Sequence, residues 1–538
     1  MIRTLMFSTG SDVPARWITR VPVNSSARSS TALSPRSVKI SHSSAIAGIL
    51  LWGSLMDPVV IAVDVGSSSA RAALFDARGE PIAGRFHQVP YEARITPDGG
   101  VEHDPAALLD AVATCLDAVH AWPESVSTAG VGVTTFWHGL LGFDSGGRAV
   151  TPISMWADTR SAGEADVLRG ALDATDLHAR TGCHLHASYW PSRLRWLARE
   201  HPDLVARVAR WGSFGEHLET ELFGDAATSI AMASGTGLFD QVACTWDTEA
   251  LAVAGITKSQ LFPLVDRHEP RRGLRGAWAR RWPRLRGVPW FPAVGDGVAS
   301  SVGSDCTDRG RIALNVGTSA ALRIVTPDAP APVRGLWRYR VDRTLWITGG
   351  ATSEGGNVYA WCRDLLKLPP DDVVERTLGE RMPDEHGLTV LPFLAGERAP
   401  GWRDGRRAAI AGLTLDATPL DVLEAALEAV ALRLALVYEL LAPAAEPDHA
   451  IVASGGGLAR SPAWRRIIAD AIGHPLRWSP DSEATTRGVA VLALQSLGLL
   501  RSLADARRPL GETIAPDPVR HARYRAALER QRTLDEKV

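Results

Sequence analysis

One short pattern is written twice in this chain, and it limits the available folds more than any other feature. Val59-Val60-Ile61-Ala62-Val63 runs into Asp64-Val65-Gly66-Ser67-Ser68-Ser69, and a second apolar stretch reaches Phe75 before the turn signal Asp76-Ala77-Arg78-Gly79. A continuous apolar run bounded by glycine and hydroxyl residues predicts a buried strand, a tight turn and a second strand. The same order returns at Ile312-Ala313-Leu314-Asn315-Val316-Gly317-Thr318-Ser319-Ala320-Ala321-Leu322. The separation is too long for a solenoid unit and implies two similar domains, each presenting one hydroxyl-rich hairpin. Neither copy carries GxxxxGK[ST] followed by a helix, which excludes a P-loop.

The 538 residues suffice for two or three domains, each with a full core. Lys and Arg number 58 against 60 Asp and Glu, so no basic excess points to nucleic acid or to an anionic membrane, and small-molecule chemistry is expected. Five scattered cysteines without CxxC or metal spacing suit reduced structural thiols and a cytoplasmic location. Residues 1–55 differ from the rest, with six basic residues, many serines and Asp12 as the one acid. They read as a disordered or transit-type leader, or as sequence upstream of a true start at Met56; the apolar run 45–56 is too short to span a bilayer.

Residues 131–143 read as a further strand-turn-strand stretch, and 190–196 as a tryptophan-bearing segment. Thr418-Pro419 opens a helix, with Thr418 as N-cap and Leu420, Leu423, Leu427, Val430 and Leu434 on one apolar face. Ser461-Pro462 repeats that start signal after Gly455-Gly456-Gly457, where a helix N-terminus would aim N–H groups at an anion or nucleotide.

A crowded polyphosphate needs backbone N–H groups, hydroxyls, a metal ion and glycines that let the chain approach. The hairpins supply these: Ser67, Ser68 and Thr318 for phosphate oxygens, and Asp64 at a strand end for magnesium. Phosphoryl transfer also needs a base for the attacking hydroxyl. Asp296, exposed between Gly295 and Gly297 shortly before the second hairpin, is the candidate, although Gly-Asp-Gly by itself better suits a surface turn. His138 and Trp156-Ala157-Asp158-Thr159-Arg160 combine aromatic faces with hydroxyl-binding groups, as sugar sites do, or serve a core and a braced loop.

These motifs resemble the FGGY carbohydrate kinases, within the actin-like ATPase superfamily, from about Val59 to Leu500. The most specific part is 408–428, where small-x-apolar-x-Gly-Leu is followed by Asp421-Val422-x-x-Ala425-Ala426-Leu427-Glu428. Gly396-Glu397-Arg398-Ala399-Pro400 and Gly295-Asp296-Gly297 are similar to further landmarks. The resemblance implies an α/β fold of two actin-like, RNase H-like domains around a nucleotide and sugar cleft: 57–303 binding the sugar, 304–505 binding the nucleotide, and 506–538 a tail. It makes Asp296 the catalytic base. Ser67, Ser68, Ser69 and Arg71 meet the phosphates, Gly317, Thr318 and Gly356 contact the nucleotide, Gly456, Gly457 and Arg460 hold adenosine, and Asp64 serves Mg2+.

Departures from the family pattern bear on the subfamily and on the sugar, the first by blurring the subfamily. Arg193 stands before Leu194-Arg195-Trp196 where the first signature has Lys, and Phe136-Trp137 precede His138 where xylulokinases carry Gln-Met. No Arg-Glu substrate pair of the glycerol kinase type is evident, and Gly297 replaces the Gln after its base. Trp156 to Arg160 and 233–240 look most like gluconokinases, and a substrate carboxylate would suit Arg160. The expectation is a cytoplasmic kinase using ATP and Mg2+ on a sugar or sugar acid, gluconate first and xylulose or another ketose second, with neither nucleic acid nor membrane as partner; the resemblance allows a homodimer. The rival of another class is a nucleotide-switched actin-like binding protein, against which Asp296 in the base position speaks.

Overall fold

The computed structural model describes residues 58–120, 127–481 and 483–538; the leader and the alternative start at Met56 lie outside the described residues. β1 (Val59–Val65) and β2 (Ser69–Phe75) form the first predicted hairpin, and β3 (Pro81–Pro90) extends it antiparallel. Every residue of β1 is buried, which accounts for its unbroken apolar run. β4 (Thr128–Thr135) runs parallel to β1 on its other side, and the two-residue β5 (Val294–Gly295) pairs parallel with β4. The order is β5-β4-β1-β2-β3.

The second hairpin is β6 (Arg311–Val316) and β7 (Ala320–Thr326). With β8 (Trp337–Arg340), β9 (Trp346–Thr352), β10 (Ala450–Ser454), β11 (Leu476–Trp478) and β12 (Thr513–Ile514) it forms a seven-stranded sheet, ordered β8-β9-β7-β6-β10-β11-β12. Its inner strands β9-β7-β6-β10-β11 repeat the order and the directions of β3-β2-β1-β4-β5. The echo of two hairpins is therefore a duplication of two whole sheets. Between β4 and β5 the chain inserts 136–293, built of short helices and small sheets, and the expected sugar-side residues all lie there.

The helices that frame the site are α1 (Pro105–His120), α2 (Asp296–Gly303), α3 (Gly356–Leu365), α4 (Pro419–Leu441), α5 (Gly456–Arg460), α6 (Pro462–Ile472), α7 (Ala484–Ser496) and α8 (Pro518–Lys537). Thr418 caps α4 as expected, its hydroxyl accepting from the Asp421 N–H. The predicted face of α4 is buried from Leu423 onward, and Glu424, Glu428 and Arg433 on its other faces are buried as well. α8 covers that polar side, where Tyr524 donates to Glu428 at 2.9 Å. At 506–538 the chain therefore ends in a docked helix, with Tyr524 and Leu528 in the core. α2 and α7 cross where Gly303 faces Ala484 and Gly488 faces Ala299; a Cβ on either glycine would collide with the opposing carbonyl. All five cysteines are free. Among the described residues no helix is long and apolar enough to cross a membrane.

Candidate active site

The first hairpin is braced from outside. Gly66 N–H closes its turn on the Ser69 carbonyl at 2.9 Å, Tyr91 donates to the Gly66 carbonyl at 2.6 Å, and His103 Nε2 lies 3.0 Å from that of Ser67. Ser67 and Ser68 stay exposed at the tip, whereas Ser69 is buried and its hydroxyl accepts from Gln88. Asp64 is buried beneath the turn and accepts from Arg71 Nη1 at 2.9 Å. Burial pushes its carboxyl up to about 6; Arg71 pulls it down, and the charge of Asp296 adds to the rise. Glu483, N-cap of α7, lies 4.0 Å from Arg71 and is pushed up to about 7, chiefly by burial.

The tip of the second hairpin is a meeting point. Gly317 N–H donates to the Ser319 carbonyl at 2.9 Å and leaves Thr318 exposed. Gly356 N–H donates to the Gly317 carbonyl at 2.7 Å and Asn357 N–H to that of Thr318 at 3.1 Å, seating the start of α3 on the turn. Gly457 packs against Val316, while Gly456 faces open space and Arg460 is exposed. Gly317, Thr318, Gly356, Gly456 and Gly457 thus gather around one turn. The helix start at Ser461-Pro462 differs from expectation. Glu375 closes it, accepting from Ser461 Oγ and Ala463 N–H, both at 2.6 Å, so it offers an anion nothing. The helix that follows the glycine run is the five-residue α5.

Asp296 is no surface turn. It is the first residue of α2, directly after β5, and its carboxylate accepts from Gly297 N–H at 2.8 Å. The flanking glycines have a steric cause: the Trp137 indole lies on both, and a Cβ at Gly297 would stand 2.5 Å from its Cζ3. Trp137 donates to the Ala231 carbonyl at 2.9 Å and meets Trp337 and Tyr339 edge-on, at 5.8 and 5.1 Å between centroids. Burial raises the Asp296 carboxyl above its ordinary value, opposed first by Arg323, then by the N–H groups of Gly297 and Trp137 and by Arg398.

The sugar-side residues divide. His138 is held with a φ of 67° by its Nδ1 contact to the Gly235 carbonyl at 2.7 Å, and Arg193 fixes its main chain by donating to the His138 carbonyl at 2.6 Å. Trp156 lies under Arg398, whose Cζ stands 5.0 Å from the ring centroid. Asp158 and Arg160 point elsewhere. Arg160 donates to Asp158 at 2.6 Å and to Glu102 at 2.7 Å, stacks on Trp196, and lines with Asp158 a cavity of about 220 Å³ that includes none of Asp296, His138 and Trp156. The turn closed by Asp158 N–H on the Met155 carbonyl sends the side chains of one short motif to different places.

Family models settle the class. The N-terminal domain of the FGGY family of carbohydrate kinases matches residues 59–303 and its C-terminal domain residues 312–497. The chain belongs to this family. Among similar proteins are a gluconokinase of Bacillus subtilis, 26% identical over 86% of this chain and 92% of its own, and a glycerol kinase of Aromatoleum aromaticum, 30% identical over 88% and 98%. Solved structures of a gluconate kinase and a xylulose kinase from Lactobacillus acidophilus each superpose with a TM-score of 0.81 at 24% identity, covering 89% of this chain and 98% of theirs.

This FGGY kinase is thus an ATP-dependent carbohydrate kinase on two actin-like domains. Two cations whose charge acts on Asp296 escaped sequence reading. Arg323 is a lone cation in an otherwise apolar strand, a signal that could have found it; Arg398 stood in a recognised landmark but was given no role. Among the described residues no cluster of three or more His, Cys, Asp or Glu is arranged for a metal. Asp64 with Asp296 could still serve magnesium, which needs only one or two carboxylates once phosphates complete its shell.

Proposed function

We propose that this kinase phosphorylates the terminal hydroxyl of gluconate, giving 6-phosphogluconate and ADP. The observation that carries the chemistry is the place of Asp296, at the head of α2, in the field of Asp64 and against Trp137. Asp296 takes the proton as the sugar oxygen bonds to the γ-phosphorus; the bond from that phosphorus to the β–γ bridging oxygen breaks, and ADP leaves with the electron pair. Ser67, Ser68 and Thr318 hold phosphate oxygens from the two tips, with Arg71 beside them. Ser69 secures the first turn rather than the ligand, its hydroxyl being engaged by Gln88. Gly356, Gly456, Gly457 and Arg460 border the nucleoside. Magnesium bound with the nucleotide would spread the phosphate charge, and Asp64 would hold it directly or through water. In this reading the acceptor site is built mainly from 57–303 and the nucleotide site from 304–505.

Gluconate is favoured by the gluconokinase relative, which aligns with most of the chain. Xylulose or another ketose is the second reading, supported by the xylulose kinase structure. Coupled ADP release with MgATP and a panel of gluconate, xylulose, ribulose and glycerol tests both. Stimulation by gluconate alone is expected. Turnover of a ketose alone would discard the gluconate reading, and silence with every sugar would favour a nucleotide-switched binding protein.

A further inference from the structure

The charges of two arginines from the second half of the molecule act on Asp296, and among the described residues neither guanidinium has a hydrogen-bond acceptor. Arg323 stands in the middle of β7, opposite Ala313 on β6 and Gly349 on β9. Its Nε lies 2.9 Å from the place a Cβ on Gly297 would take, so the guanidinium is beside the residue that follows the base. Its Nε and Nη1 are buried without hydrogen-bond partners. Arg398 is 8% exposed, spreads over the Trp156 ring, and its Nε is likewise without a partner.

Buried donors are nearly always paired, because an unmet one forfeits its hydration. Arg193, buried close by, leaves only Nη2 without a partner and donates through its other nitrogens to the carbonyls of Ala187, His138 and Ser154. Arg323 and Arg398 make no such bonds. One carboxylate, Asp296, stands against two guanidinium groups, and the field of each reaches the other. The surplus positive charge lies on the tryptophan side of the cleft. Gly297 lies between Arg323 and the Trp137 ring, and Arg398 rests on Trp156, whereas the exposed phosphate-type hydroxyls are at the hairpin tips.

We propose that Arg323 and Arg398 together bind the carboxylate of an open-chain sugar acid, and that this pair sets the acceptor class of the enzyme. Arg160, the arginine that sequence alone favours, is already satisfied by Asp158 and Glu102. The proposal rests on the kinase reading above and deepens it by naming the groups that recognise the acid. No proton moves and no bond forms at the pair; it holds one end of the acceptor while Asp296 serves the other.

The test compares gluconate with glucitol, the same carbon chain with an alcohol in place of the carboxylate, as acceptors for the full chain with MgATP. In Arg323→Gln the KM for gluconate rises at least about 30-fold, and the preference for gluconate over glucitol falls by a similar factor. The KM for ATP stays within about threefold, and kcat falls alike for gluconate and glucitol, because the charge that offsets the burial of Asp296 goes with the arginine; the gluconate KM and the preference between the two acceptors therefore report the acid contact. Arg323→Lys recovers part of the KM, because it keeps the charge and loses the planar fork. Arg398→Gln shifts the preference in the same direction. An unchanged preference in both glutamine variants overturns the pair, as does a fall in kcat shared by both acceptors at unchanged gluconate KM. If Arg323→Gln does not fold, Arg323→Lys and Arg398→Gln decide by the same preference. Wild-type turnover of gluconate with an unaffected variant removes the pair alone; wild-type turnover of ketoses with no sugar acid removes the gluconate reading together with it.

Discussion

Asp296 depends on its neighbours for both position and charge. The Trp137 ring holds the Gly295–Gly297 segment from one side, and Arg323 with Arg398 offsets the burial that would keep the carboxyl protonated. Asp296→Asn keeps the shape and removes the base, so kcat should fall about 100- to 10,000-fold in coupled ADP release; full activity in this variant would remove Asp296 from the mechanism. Burial also sets the pH response. With Asp64 up to about 6 and Asp296 raised, the ionised forms are lost at higher pH than for ordinary carboxyls. A profile of kcat/KM for the free enzyme should therefore be half-maximal at about 6 and fall as pH drops through it; an acid limb near 4 would contradict this. The sign for folding is opposite. A carboxyl raised from 3.8 to about 6 binds its proton more tightly when folded, so stability declines as pH rises through that window. Asp64→Asn should remove that part of the slope in urea melts at a series of pH values. At this scale the sequence was legible where a residue's position follows from its immediate neighbours, as for Ser67 and Thr318 at exposed turn tips and Asp64 near a strand end. It misdirected Asp158 and Arg160, because three residues in a row do not determine which way a turn sends each side chain.

The elements show how tightly the two sheets are coupled. α2, which carries Asp296, crosses α7 at a contact that only glycine permits on either side. Gly488→Ala drives a methyl into the Ala299 carbonyl, and should cost about 1–3 kcal/mol or prevent folding, read as a lower urea midpoint. Gly170→Ala is the contrast. Gly170 lies in the helix Ala162–Ala171 with nothing near its Cβ direction, so alanine should stabilise by about 0.4–1 kcal/mol. Equal effects of the two substitutions would show that the crossing is not close-packed in solution. The caps at Thr418 and Ser461 were legible because capping is local chemistry. The partner of the second cap was not: Glu375 comes from a distant segment and turns an apparent anion site into a closed helix end.

For the whole molecule, the two halves are joined by buried charge as well as by aromatic contact. Arg267, from the inserted region, donates to Asp342 between β8 and β9 at 2.9 Å, with both side chains only 2% exposed. The same guanidinium reaches Gln495 and the Leu492 carbonyl on α7. Asp342→Ala leaves that cation buried and unpaired, and should cost about 3–5 kcal/mol in urea melts; a loss below about 1 kcal/mol would mean that the halves part from one another before either unfolds. Tyr189 and Tyr339 share a 2.6 Å hydrogen bond across the same boundary. By itself the sequence determined the two hairpins, their duplication, the start of α4, the family and the glycine-flanked aspartate, all of which follow from residues close together in the chain. Only the tertiary structure decided that the duplication extends to whole sheets, because β5, β10 and β11 are too short to show any periodicity of their own. Only it decided which arginines are satisfied and which stand open, because Glu102 and Asp296 come to Arg160 and Arg323 from distant parts of the chain, and the energy of a buried charge depends on what surrounds it in space.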